Sequence, residues 1–326
     1  MTLSVLMATH NGAAFVEEQL NSIVQGTHLP DELIIVDDAS TDGTWDLLTE
    51  WRKRVPIDGV ILVRNDVNLG PTASFIKALD RSTGDLVLFA DQDDKWSPEK
   101  IETLASCFTE DPELLMAYSD GTITNAELEP TGERIFSTRN KARLDAGGER
   151  SMMQVMSNPD IKGCTMALQG AFARRIARDR VAGFAQYWGH DHWLALFAFG
   201  MGRVKVVPRS LLLHRFHASN ASSATRFSPF SINHWTKWSR KMREQEKDHW
   251  YARYAVVKEQ IDRHGYSVND DWRKALLDWI RIGEERLTIG NLPLYKRPGR
   301  VWSLHRRGIY RDHYNGVFTL MRDLLT

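Results

Sequence analysis

Cysteine is almost absent from this chain: Cys107 and Cys164 are the only two among 326 residues. Two isolated thiols give neither a disulfide framework nor the paired spacing of a zinc site, so a reducing cytoplasm is the expected compartment. Long hydrophobic runs are also missing, and none approaches the about 18 apolar residues that span a bilayer. Met1 to Gly12 has no basic start and no small-residue cleavage site, and is not read as a signal peptide. Net charge of either sign is absent too, 42 Lys and Arg balancing 42 Asp and Glu, but only on average. Residues 1–120 hold 8 basic against 22 acidic residues, a net of −14, and residues 121–326 hold 34 against 20, a net of +14. An acidic first part suits a cation site, and a basic remainder suits phosphates or a lipid surface. There is no internal repeat and no low-complexity tract.

What is present is most concentrated at Leu86-Val87-Leu88-Phe89-Ala90-Asp91-Gln92-Asp93-Asp94. The apolar run reads as a buried strand whose end carries acid to a rim. Three carboxylates in four positions repel one another, which makes sense if a hard cation such as Mg²⁺ or Mn²⁺ sits among them, with a diphosphate as its natural partner. A solvated acidic turn is the plainer alternative.

The first part alternates strands with helical patterns, the signature of an α/β fold with a mostly parallel sheet. Leu3 to Ala8, Leu33 to Val36, Val60 to Arg64 and Leu86 to Ala90 read as strands; Phe15 to Gln25, Gly43 to Arg54, Thr72 to Arg81 and Pro98 to Phe108 read as helices. Ligands of such sheets bind beyond the carboxyl ends of the strands. There the sequence places Thr9 to Asn11, Asp37 and Asp38, Asn65 to Gly70, and Asp91 to Asp94. Thr131 to Arg150 reads as loop, with apolar segments returning at Cys164 to Leu168, Trp193 to Phe199, Val204 to Val207 and Leu211 to Leu213. From His234 the chain turns to long helical patterns, His234 to His264, Asp271 to Leu287 and Val301 to Leu325, holding 6 of its 11 tryptophans.

Taken together, Ser4-Val5-Leu6-Met7-Ala8-Thr9-His10-Asn11-Gly12, Ile34-Ile35-Val36-Asp37-Asp38-Ala39-Ser40-Thr41-Asp42-Gly43-Thr44, Asn68-Leu69-Gly70, Gly84-Asp85 and Asp91-Gln92-Asp93-Asp94-Lys95-Trp96 resemble a family 2 inverting glycosyltransferase. The resemblance covers about residues 2 to 220 and implies the GT-A nucleotide-diphospho-sugar transferase fold. Residues 1–232 are then the catalytic domain, with 1–120 its nucleotide-binding part and 121–232 its acceptor-binding part, and 233–326 are a helical C-terminal region. The Asp-Gln-Asp-Asp-x-Trp form, followed by Pro98 and Lys100, resembles the rhamnosyltransferase branch.

The resemblance assigns Thr9 and Asn11 to the nucleotide, together with Asn68, and Asp37 to its base or ribose. A strand-end carboxylate can accept from a pyrimidine N3–H or ribose hydroxyls, a charge-assisted bond of about 1.5 to 3 kcal/mol. Helix capping before Trp45 is the expectation for Ser40 to Asp42. The family pattern makes Asp93 a direct metal ligand, puts Asp91 nearer the sugar or ribose, and leaves Asp94 behind it or on the sugar. Gly189-His190-Asp191-His192-Trp193 matches the place of the catalytic carboxylate, so Asp191 is the expected base, contributing about 10² to 10⁴ in rate; a carboxylate serving only the dipole of its helix is the alternative. His214-Arg215-Phe216-His217-Ala218-Ser219-Asn220 resembles a Tyr-Arg-Gln-His-x-x-Asn element in which the histidine completes the metal shell, here His217, and the arginine, Arg215, lies near the phosphates; Phe216 departs from that pattern. Gly163 to Met166, preceded by Asn158, resembles the acceptor side of the sugar pocket or is a buried turn. Trp188 and Trp193 are more ordinarily core than sugar platforms.

The resemblance implies inverting transfer, with Mn²⁺ or Mg²⁺, from a nucleotide-sugar donor to a hydroxyl of a surface-polysaccharide or lipid-linked glycan acceptor, with no nucleic acid partner. dTDP-L-rhamnose leads as donor, with a UDP-hexose or UDP-N-acetylhexosamine as the alternative. A nucleotidyltransferase would carry a glycine-rich basic loop where Thr9 to Ala14 has one glycine and no basic residue. A carbohydrate-binding scaffold on a dead core would have lost Asp91, Asp93 or Asp191. In the C-terminal arm, Trp302, Ile309, Tyr310, Val317, Phe318 and Leu324 among Arg300, Arg306, Arg307 and Arg311 could lie on anionic lipid at the cytoplasmic face of the inner membrane. A helical cap on the catalytic domain or on a second subunit of a homo-oligomer is the other reading.

Overall fold

A computed structural model describes residues 1–55, 57–136, 156, 161–217, 240–310, 320 and 323–324, with backbone alone at 240–251 and 290. They fall into two compact units, one on residues 1–149, 160–180 and 188–223, the other on 150–159, 181–187 and 224–326.

The first unit opens with four parallel strands, β1 (Leu3–Thr9), β2 (Glu32–Asp37), β3 (Gly59–Arg64) and β4 (Leu86–Asp91), side by side in the order β3-β2-β1-β4. Leu3, Val5 and Met7 join Leu33, Ile35, Leu86, Leu88 and Ala90 in one core cluster. The alternate residues Leu6, Ile34 and Phe89 are equally buried, as expected of a sheet covered on both faces. Each such side chain is worth about 1.5–3 kcal/mol relative to exposure. The crossovers are α1 (Val16–Val24), α2 (Thr44–Arg52) and α3 (Pro71–Leu79). α1 buries Val16, Leu20 and Ile23 at helical spacing, and α3 starts on Pro71, whose missing N–H is harmless in a first turn. Register levels the carboxyl ends: Thr9 lies opposite Asp37, Ala8 opposite Asp91, and Asp37 opposite Arg64.

The sheet then continues with mixed direction through β8, β6, β9 and β5. β5 is Lys95–Trp96, α4 is Lys100–Glu110, β6 is Leu114–Thr124, β7 is Pro130–Arg134, β8 is Met166–Gln169 and β9 is Arg203–Arg215. Two helices follow β8 in sequence, α5 (Gly170–Arg178) and α6 (His190–Met201). The expected division at residue 120 falls inside β6. Ser119, Asp120 and Gly121 break its apolar pattern, yet the strand runs on because buried Asp120 accepts from Arg134 Nε at 3.0 Å and Phe136 N at 2.9 Å. Arg134 belongs to β7, so the expected loop from Thr131 begins as a strand; its remainder, 137–150, and Asn158 lie outside the described residues. The two apolar segments after Arg203 form the single strand β9, whose register with β6 jumps between Val207 and Ser210 and so absorbs Pro208.

In the second unit lie α7 (Arg240–His264), α8 (Asp270–Gly290) and α9 (Arg297–Arg306). Asn269 caps α8, its side chain accepting from Trp272 N at 2.8 Å. Tyr254 of α7 stacks on Trp279 of α8 with centroids 5.5 Å apart. The expected helix from Val301 to Leu325 starts earlier and stops sooner. Gly308, at φ +79°, turns the chain so that its N–H and that of Ile309 close onto His305 and Leu304 carbonyls. Residues 234–239 and 311–319, with Arg311, Val317 and Phe318, lie outside the described residues, as does the expected boundary at 232. Among the described residues no helix is long and apolar enough to cross a membrane.

Candidate active site

The rim forms where β1, β2 and β4 end together. After β1 the chain turns sharply, with Asn11 at φ +47°, a value asparagine tolerates better than most residues. Gln92, one residue beyond β4, holds that turn at both ends: its Oε1 accepts from His10 N at 2.9 Å and its Nε2 donates to His10 O at 3.1 Å. Gly12 has no side chain because a Cβ there would lie 2.2 Å from Gln92 Oε1. Asn11 Oδ1 in turn accepts from Thr41 N at 2.8 Å.

After β2, Asp37 is fully buried and both of its oxygens are engaged. Thr9 Oγ1 at 3.1 Å and Ser40 Oγ donate to Oδ1, while Ser40 N at 3.2 Å and the Arg64 guanidinium at 3.3 Å meet Oδ2. Ala39, at φ +56°, folds Ser40 back onto this carboxylate. Asp37 and Thr9 therefore brace the rim from within, and a nucleotide would have to displace Ser40 or Arg64 to reach the Asp37 carboxylate. Asp38 is not a helix cap: it accepts from Asn65 Nδ2 at 2.7 Å, Leu69 N at 2.8 Å and Gly70 N at 2.7 Å, and so fixes the loop after β3. Asn68, expected on the nucleotide, spends its Oδ1 on Gly70 N at 3.0 Å. Gly43, at φ +91°, and not Ser40 to Asp42, occupies the cap position of α2, and Asp42 just before it accepts from Thr44 N at 3.1 Å.

The acid triplet divides into two ranks. Asp91 is partly exposed at the end of β4; burial, then Asp94 and Asp93, push its carboxyl up to about 7. Asp93 is also raised, by burial and by Asp94, and its Oδ2 lies 2.8 Å from His217 Nε2. The expected metal pair, Asp93 and His217, is thus brought together, with His217 packed on Phe15 at 4.5 Å between centroids. Asp94 is different: it is fully buried, its Oδ1 meeting His214 Nδ1 at 2.8 Å while Oδ2 has no hydrogen-bond partner. Burial pushes the His214 imidazole down, but the charge and hydrogen bond of Asp94, with the charge of Asp91, together outweigh it and the net shift is upward. Asp91, Asp94, Cys164 and His214 offer donor atoms within 4.8 Å of one another. Cys164 is wholly buried and burial pushes its thiol well up, so Cys164, Asp94 and His214 back the rim from within while the partly exposed Asp91 stands on it.

Arg215 departs most from expectation. Instead of reaching toward phosphates it is buried, Nε donating to Asp93 O at 2.8 Å, Nη1 to Ala126 O and Nη2 to Glu18 Oε2, with its guanidinium 4.8 Å above the Phe15 ring. It holds the Asp93 backbone in place. Glu18 is partly exposed; burial raises its pKa, but the bonds and charges of Arg215 and Lys95 together outweigh this and leave it below the ordinary range.

Asp191 sits in the first turn of α6, partly exposed. Its Oδ1 accepts from His192 N at 2.8 Å and its Oδ2 from Gly163 N at 3.1 Å. Burial works against its charge, yet the flanking histidines and these two N–H groups bring its pKa down to about 2. His190 is buried against Phe75 at 4.1 Å and Phe89 at 5.1 Å, and burial lowers its pKa to about 4. The short turn Gly163–Thr165 links the two halves of the site, because Cys164 adjoins Asp91 and Gly163 holds Asp191. Trp188 and Trp193 are core, 6.4 Å apart. Asn220 lies outside the described residues.

Comparison with known proteins bears on the family and the fold. Residues 4–154 match the family described as Glycosyl transferase family 2. An uncharacterized glycosyltransferase of Nostoc sp. is 26% identical over 240 residues, 69% of each chain. The dTDP-rhamnosyl transferase RfbG of Shigella flexneri is 36% identical over 106 residues, 31% of this chain and 36% of that protein, so the chain spans about a third of this relative. A mannosyltransferase of Pyrobaculum calidifontis, solved with GDP-Man and Mn²⁺, superposes with a TM-score of 0.56 at 16% identity, covering 98% of this chain and 83% of that one. The fold is the GT-A fold, and the matches support a family 2 glycosyltransferase.

Proposed function

We propose that this protein is a metal-dependent inverting glycosyltransferase that moves a sugar from a nucleoside diphosphate, dTDP-L-rhamnose first, to a hydroxyl of a surface-polysaccharide or lipid-linked glycan. The observation that carries the reading is a crowded acid rim, Asp91 and Asp93 with His217, beside a separate carboxylate, Asp191, held ionised on a neighbouring turn. Carboxylate oxygens and an imidazole nitrogen suit Mn²⁺ or Mg²⁺, and the burial and, after it, the mutual repulsion that push Asp91 and Asp93 upward are what a cation would offset. Asp93, Asp91 and His217 are the residues that would hold it. Bound there, it would offset the charge gathering on the departing diphosphate.

Asp191 receives the acceptor's hydroxyl proton while that oxygen bonds to the sugar's C1 and the C1–O bond to the diphosphate breaks. One displacement inverts the anomeric centre and releases the nucleoside diphosphate. A carboxylate this acidic takes the proton late, once bonding to carbon has made the acceptor oxygen acidic. The likeness to RfbG supports a dTDP-rhamnose donor. Incubating the full chain and Mn²⁺ with a panel of nucleotide sugars and scoring slow donor hydrolysis tests the choice. A response confined to dTDP-rhamnose is expected, one confined to UDP-sugars selects the alternative, and none with any sugar contradicts the reading.

Contact with anionic lipid is supported by the second unit, but not through Ile309, Tyr310 and Leu324, which were expected there and instead pack in a core cluster with Ile289, Val301 and Leu304. Leu294, Tyr295 and Trp302 are 63%, 78% and 58% exposed within nine residues. Lys296, Arg300 and Arg306 stand exposed among them, with no acidic residue in 291–307. α9 buries Arg297, Val301 and Leu304, which at 100° per residue turns Trp302 and Arg306 to the opposite, outer face. Aromatic rings among cations suit the headgroup layer.

A further inference from the structure

Lys100, in the first turn of α4, has no exposed surface. Its amine donates to the carbonyl of Cys164, lies 4.6 Å above the Trp96 ring, and has the carboxylates of Asp91 and Asp94 as its charged neighbours. For stability alone this is an expensive choice. A buried ammonium loses its hydration, and only its partners, the Cys164 carbonyl and the nearby carboxylates, offset that loss. Direct contact with a donor is closed to it, because no atom of it reaches the surface.

The carbonyl that Lys100 holds belongs to the short turn Gly163–Thr165. The residue before it in that turn, Gly163, gives its N–H to Asp191 Oδ2. The turn is closely packed against the first turn of α6: a Cβ at Gly163 would lie 2.9 Å from His190 Nε2, too close to fit without a shift, and 3.6 Å from Asp191 Cβ, in ordinary contact. One three-residue turn is therefore tied at its middle residue to a buried cation beneath the acid rim and at its first residue to the Asp191 carboxylate.

We propose that Lys100 is a positioning residue that acts through the Gly163–Thr165 turn to set the place of Asp191 relative to the acid rim. The proposal rests on the reading of Asp191 as base. Lys100→Met removes the bond to Cys164 with little change in length. Gly163→Ala disturbs the same turn from the Asp191 side and changes no charge.

The test uses the full chain with Mn²⁺ and dTDP-rhamnose, or UDP-GlcNAc should the donor panel select it, with the matching nucleoside diphosphate for binding. Both variants are expected to lose at least tenfold in the kcat of the folded fraction and to keep the Kd for nucleoside diphosphate and Mn²⁺ within twofold; Lys100→Met is also expected to lower Tm, because the Cys164 carbonyl and the nearby carboxylates lose a buried partner. A merely structural lysine would lower Tm and leave the kcat of the folded fraction intact. Unchanged kcat in Lys100→Met, or a fall in kcat matched by weakened nucleotide binding, overturns the proposal. Should Lys100→Met fail to fold, wild-type kcat in Gly163→Ala overturns it instead. Asp191→Asn, assayed alongside, separates the two claims: full turnover there removes the base, whereas an inactive Asp191→Asn beside a fully active Lys100→Met removes only the role of Lys100.

Discussion

Replacing Asp191 by Asn changes one charge and almost no volume, and the structure sets what it should cost. The folded chain holds this carboxyl at about 2 against an ordinary 3.8, nearly two pKa units. At about 1.4 kcal/mol per unit, the fold favours the ionised form by about 2 kcal/mol. Because the folded pKa is the lower one, this stability is fully present above pH 3.8 and is lost as pH falls toward 2. Asp191→Asn should therefore be less stable than wild type by up to about 2 kcal/mol at pH 7, and by roughly half of that at pH 3. Urea unfolding at the two pH values measures the gap, and comparing the two proteins cancels the other carboxylates. The same variant should lose about 10² to 10⁴ in transfer while binding nucleotide normally. A stability gap that does not shrink with acid would refute the geometry at Gly163 and His192, and turnover near wild type would refute the chemistry.

Arg215→Met should cost about 3 kcal/mol in urea unfolding, because Glu18 loses its buried partner and the Asp93 and Ala126 carbonyls lose their donor; a loss under about 1 kcal/mol contradicts the bracing role. Asp38→Ala should free the loop after β3, seen as faster amide exchange at Leu69 and Gly70, with unchanged exchange as the contrary result. The full chain should sediment with vesicles containing phosphatidylglycerol but not with pure phosphatidylcholine, less so at high salt, and the pair Tyr295→Ser and Trp302→Ser should release it. Equal sedimentation of that double variant would remove the lipid contact.

The four parallel strands and the rim at their ends were legible because an apolar run that stops at acid is what a buried strand reaching a polar edge produces; β1 to β4 differ from expectation by a residue at their ends. β6 was hidden by its own middle, where Asp120 is buried only because Arg134, distant in sequence, returns to pair with it. The site shows the same divide. Asp93 with His217 and the place of Asp191 came from motif and spacing, since each follows a recognisable element. The inward turn of Asp94, Asp37 and Arg215 depends on partners such as His214, Ser40, Arg64 and Glu18, which no local pattern announces. Lys100 and His214 stood inside or beside those motifs, but a charge next to an acid cluster reads as solvated until its burial is seen.

The central claim is that a divalent cation joins the rim at Asp91, Asp93 and His217 to a diphosphate. Calorimetric titration of dTDP and of UDP into the full chain, with Mn²⁺ and then with the metal chelated, tests it most directly. At least tenfold tighter binding with Mn²⁺ is expected for one of the nucleotides, with the gain abolished in Asp93→Asn. Equal affinity with and without the metal, or a full gain in Asp93→Asn, would contradict the account.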